Sequence, residues 1–201
     1  MSHATTPVIT LLAAFVLGAC QTKSKHAEMT DTTEAPAAAT ATTQADAPRS
    51  AVETARSAAP KTIVDDATIM SAPQGESGQM TQVRAGTNGW TCIGASASFD
   101  AMCSDRNFES LLKALMTKKD PQVKDVGFAY MLQGDSVGAS NTDPFATAPT
   151  ADNHWVKAPP HIMVVLPDTK ALDAFPAEPN SGGPWVMWKG TKYAHLMVPV
   201  R

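Results

Sequence analysis

The sequence predicts an α+β domain with a mostly antiparallel sheet, one main helix, one short helix and a C-terminal hairpin. Three observations carry that reading. One stretch, SDRNFESLLKALMTKK, spaces its apolar residues as a helix does, while several shorter runs read as strands. These elements come in the order strands, helix, strand, loop, strand, helix, hairpin, without the steady strand–helix alternation of a parallel sheet. The formal net charge of the 201-residue chain is −3, so no basic excess is present to hold a nucleic acid.

Ahead of the domain, residues 8–17 form a short apolar run, too short to span a bilayer. It leads into Leu17-Gly18-Ala19-Cys20, which resembles the lipobox of bacterial lipoproteins. That resemblance implies a signal peptide over residues 1–19, lipid on Cys20 and a membrane partner reached through the anchor. Gln21 in place of Asp resembles the outer-membrane sorting signal of a Gram-negative host, with the domain facing the periplasm. Residues 20–50 are dominated by Ala, Thr, Pro, Ser, Gln and charge. Such a segment buries too little apolar surface to offset its ordering entropy and reads as a tether. The stretch AVETARSAA has helical character before Pro60, and the domain is expected over residues 60–201.

Within the domain, DATIM and MTQVRA read as strands joined by the turn APQGESG, and GTNGWTCI follows. In the main helix Phe108, Leu111, Leu112 and Leu115 form one apolar stripe, and Ser104 or Asp105 can cap its start. VGFAYMLQG and HIMVVLP are apolar on both faces, as central strands are. DTKALDAF is a short helix capped by Asp168. In PWVMWKGTKYAHLMVPV, a two-residue Gly190-Thr191 turn predicts Trp188 opposite Tyr193 and Val186 opposite His195. With Cys20 taken by lipid, Cys92 and Cys103 remain in an oxidising compartment and are expected to pair.

The blocks GTNGWTC, MCSD, GFAYMLQGD, ASNTDPFAT, PHIMVVLPD and GGPWVMWKGTKYAHLMVPV together resemble a family of uncharacterised exported bacterial proteins. The resemblance spans about residues 60–201 and implies a single exported domain behind a variable leader. It supplies neither a substrate nor a catalytic residue.

No nucleophile elbow, zinc-protease helix, phosphate loop or dinucleotide fingerprint occurs, so no catalytic residue is assigned. The segment 134–160 is long for a compact domain and rich in polar residues. Asp135, Ser140, Asn141, Asp143 and His154 are its candidate ligand-binding residues. One reading makes them turn-formers that hold the loop, pinned by Phe145 and Trp155. A second makes them the rim of a pocket, and a third makes Ser140 the nucleophile of a small hydrolase. The function read from the sequence is a lipid-anchored, non-enzymatic binding or structural domain of the envelope, its partner a small ligand or an envelope component, with no cofactor. A copper protein is the other alternative, because His161-x-Met163 and His195-x-Met197 repeat one motif. On a strand, residues i and i+2 share a face, and two imidazoles with two thioethers form a soft set suited to Cu(I). If the two strands are neighbours, parallel pairing sets His beside His and antiparallel pairing sets His beside Met, and either gathers two imidazoles and two thioethers. Against copper, methionine is also an ordinary filler of buried strands.

Overall fold

The computed structural model describes residues 50–74, 78–179 and 181–200. Cys20, the leader 1–19 and the tether up to residue 49 lie outside the described residues, as does the turn tip at 75–77. Among the described residues, no helix is long and apolar enough to cross a membrane.

The domain is α+β, and an eight-stranded sheet runs through it. In chain order its strands are β1 Thr68–Met70, β2 Gln82–Arg84, β3 Trp90–Ile93, β4 Met102–Asp105, β5 Gly127–Met131, β8 His161–Val165, β9 Trp185–Met187 and β10 His195–Pro199. A separate two-stranded ribbon pairs β6 Ala139–Ser140 with β7 Trp155–Val156. Across the main sheet the order is β2-β1-β3-β4-β5-β8-β10-β9. Every neighbouring pair is antiparallel except β1 with β3. Cys92 and Cys103 stand opposite each other on β3 and β4 and are joined in a disulfide.

The helix α3, Arg106–Thr117, begins where β4 ends. Asp105 caps it, one carboxylate oxygen accepting the Phe108 N–H at 2.8 Å and the other accepting the Phe128 N–H of β5 at 2.9 Å. The cap therefore also ties the helix to the middle of the sheet. Gly127 makes that approach possible, because a Cβ there would lie 2.4 Å from the Phe108 nitrogen. Phe108 and Leu111 turn into the core, and Leu112 and Leu115 pack at its margin. α3 ends at Lys118, whose φ of 53° is left-handed.

The opposite face of the sheet is covered at its two ends. At one end lie α1, Ala51–Ala55, and α2, Lys61–Val64, with Ala55 and Ala58 buried against Ile69 and the disulfide. The packed region thus includes residues 50–59, which the sequence reading placed ahead of the domain. Their small side chains let α1 approach the sheet closely, which an absence of large apolar residues does not reveal. At the other end, a 3-10 turn at Thr169–Leu172, capped by Asp168, buries Leu172 against Val186. Between them Phe128 is 41% exposed while Tyr130 packs beside the disulfide, so β5 is central as its composition predicts but only partly covered on its outer face.

The hairpin register differs from the sequence expectation. His195 pairs with Met187 and Leu196 with Val186, one residue away from the predicted pairing. No two-residue turn forms. Trp188 adopts a left-handed φ of 55°, and successive turns carry the chain to Ala194. The cause is tertiary. Trp188 donates its backbone N–H to Asn141 and its indole N–H to Ser140, while the Tyr193 hydroxyl donates to the Lys119 carbonyl. Both aromatics are thereby drawn away from a cross-strand pair.

A methionine-lined cavity as candidate functional site

Alternation along β8 and β10 sends His161, Met163, His195 and Met197 to the same buried face, beneath α3. Met163 stands directly opposite Met197. The expected His-beside-Met pairing between these two strands is replaced by Met beside Met, with a histidine toward either end. The flanking strands supply what the motif alone does not. Met131 of β5 faces His161, and Met187 of β9 faces His195. These six side chains line one cavity of about 240 Å³ that α3 roofs with Phe108, Leu111, Leu112 and Leu115. Met102, Asp100, Asp135 and Trp188 complete much of its wall.

Both histidines are buried, His161 at 0% exposure and His195 at 2%. Each ring is held the same way. The Nδ1 of His161 lies 2.7 Å from the Pro159 carbonyl, and that of His195 lies 3.1 Å from the Tyr193 carbonyl. A carbonyl oxygen only accepts, so Nδ1 carries the proton, and in the neutral ring Nε2 is left with the lone pair. Neither Nε2 has a hydrogen-bond partner. Burial, with a smaller contribution from a charged His161, lowers the pKa of His195 from 6.5 to about 4 against the opposing bond to the Tyr193 carbonyl. Phe108 and Trp188 meet the His195 ring edge-on, at centroid distances of 6.0 and 4.9 Å.

Two carboxylates approach the cavity. Burial raises the pKa of Asp135 from its ordinary value, opposed by attraction to His161 when that ring is protonated and by the Ala158 N–H it accepts at 3.0 Å. For Asp100, burial is outweighed by hydrogen bonds from the Ser136 hydroxyl and from the backbone of Val137, Ser136 and Gly138, which hold it below that range. The cavity's charged and unpartnered polar groups are therefore acceptors. They suit a cation or a hydrogen-bond donor.

The other candidates of the long loop do not line the cavity. Ser140 is buried, donates its hydroxyl to Asn153 O at 2.7 Å, and accepts the N–H groups of Thr142 and Asp143. No imidazole is among the hydrogen-bond partners of Ser140 Oγ. Asn141 donates to Ala177 O, and Asp143 accepts from the Phe145 N–H in an Asx-turn. His154 is exposed with φ 44° and offers its carbonyl to Asn141. Asn153, whose role has no signal in the local sequence, clasps the loop through Ala148 O and the Thr150 N–H. Phe145 rests edge-on against Tyr193 and the Trp155 indole bonds Val137 O. Of the five loop candidates, Asp135 alone lines the cavity.

Among the described residues, no group of three or more His, Cys, Asp and Glu side chains is placed to hold a metal ion. Compared with protein-family models, curated proteins and solved structures, the chain matches none.

Proposed function

We propose that this chain is a lipid-anchored envelope protein, sorted to the outer membrane and facing the periplasm, whose domain holds a small ligand beneath α3 without transforming it. The observation that carries the binding part is a pair of buried histidines, each with an unpartnered Nε2, lining a largely apolar cavity. A buried acceptor left unmatched costs about 1–3 kcal/mol, and an occupant able to bond it removes that cost. Methionine walls adapt their shape to a ligand more readily than branched side chains do. The loop supports binding over catalysis, since the Ser140 hydroxyl and the Asn153 amide are engaged in holding its own backbone. The anchor rests on the lipobox-like Leu17-Gly18-Ala19-Cys20.

The test is native mass spectrometry and metal analysis of the full chain purified from envelopes. A stoichiometric bound species, lost in a Leu115→Trp variant that fills the cavity, is expected. An empty wild-type protein under every condition of gentle extraction would refute the reading. Cys20→Ser should abolish incorporation of labelled palmitate, and label persisting in that variant would remove the anchor from the account.

A further inference from the structure

The two H-x-M motifs end in equivalent surroundings. His161 has Met163 two residues along its own strand and Met131 directly across on β5. His195 has Met197 two residues along and Met187 directly across on β9. Side chains directly opposed on antiparallel strands have Cβ atoms about 5 Å apart, and those at i and i+2 stand about 7 Å apart. At each histidine, one imidazole and two long thioethers are thus within reach of a single ion. Met163 faces Met197 and joins the two arrangements into one ladder.

Core packing alone accounts for methionines, but not for the two ring nitrogens. Both histidines are more than nine-tenths buried, both line the cavity, and both keep an unpartnered Nε2. Both are also fixed by Nδ1–H on a backbone carbonyl, the orientation that metal-ligating histidines adopt. Thioethers are soft donors and select Cu(I) over the harder divalent ions, which prefer oxygen.

Resting on the reading of this cavity as the binding site, we propose that it holds Cu(I), with each H-x-M motif giving one imidazole and one thioether and the strand across giving a second thioether. Trp188, beside His195, shields that end from water.

The experiment is anaerobic titration of the full chain with Cu(I) against a competing chelator. Two variants accompany it, His161→Ala with His195→Ala, and Met163→Leu with Met197→Leu. Leucine conserves volume, so the second variant keeps the fold even if the first does not. Wild type should retain copper against the chelator, and each variant should hold it at least about tenfold more weakly. Copper X-ray absorption of the loaded wild type should show sulfur and nitrogen neighbours together. Wild type surrendering its copper as readily as the histidine variant would overturn the proposal. So would a Met→Leu variant that binds as tightly as wild type. An organic ligand found in the cavity of a chain that ignores Cu(I) would overturn the metal and leave the ligand-binding reading standing.

Discussion

Replacing Ser140 by alanine separates a structural loop from a catalytic one. The Ser140 hydroxyl is 1% exposed and makes three hydrogen bonds, one donated to Asn153 O and two accepted from Thr142 and Asp143. A buried hydrogen bond contributes about 1 kcal/mol net, and the Asn153 carbonyl left behind is a further cost. The Thr142 and Asp143 amides belong to exposed residues, where water can replace part of the loss. The sum is about 2–3 kcal/mol. At about 2–4 °C per kcal/mol for a domain of this size, the midpoint of thermal unfolding should fall by about 5–10 °C. Circular dichroism melts of wild type and Ser140→Ala, with urea unfolding alongside, measure it. A midpoint within about 1 °C of wild type would refute the view that this hydroxyl holds the loop, since that is what an unconstrained surface change gives.

Three further outcomes follow from the same geometry. Cys92→Ser opens the disulfide to Cys103, eleven residues away, and should lower stability by about 3 kcal/mol in urea unfolding. Asp105→Ala removes both the α3 cap and the tie to Phe128, at about 2–3 kcal/mol by the same method, with helix fraying visible as faster amide exchange near Phe108. For metal-free protein, His195 titrates near 4 when folded but near 6.5 when unfolded. As pH falls through 6.5 the unfolded chain takes the proton first, so stability drops between about 6.5 and 4 by about 3 kcal/mol and then levels. His195→Gln should flatten that part of the curve, and an unchanged slope would contradict it.

Local physics made much of the fold legible. The stripe of Phe108, Leu111, Leu112 and Leu115, the Asp105 cap, the Asp168 cap and the apolar runs of β8 and β10 all express short-range rules. What escaped was set by contacts distant in sequence. The parallel pairing of β1 with β3 has no local signal. Trp188 reads as a strand residue, yet its bonds to Ser140 and Asn141 place it in a left-handed turn. The site was half legible. Alternation put His161 with Met163 and His195 with Met197, but only the strand order brings Met131 and Met187 beside them. Alternation in GFAYM and WVM gives each of these methionines a face, without saying which histidine it meets.

The central claim is that two buried imidazoles present bare Nε2 atoms to an occupant. Nitrogen-15 NMR of the histidine rings in the full chain, freed of metal by chelation at neutral pH, tests it most directly. The account predicts that His161 and His195 carry their proton on Nδ1, with unprotonated Nε2 signals that move when the cavity is filled. A proton found on Nε2 of both rings, or Nε2 signals indifferent to Cu(I) and to every ligand recovered from the envelope, would contradict it.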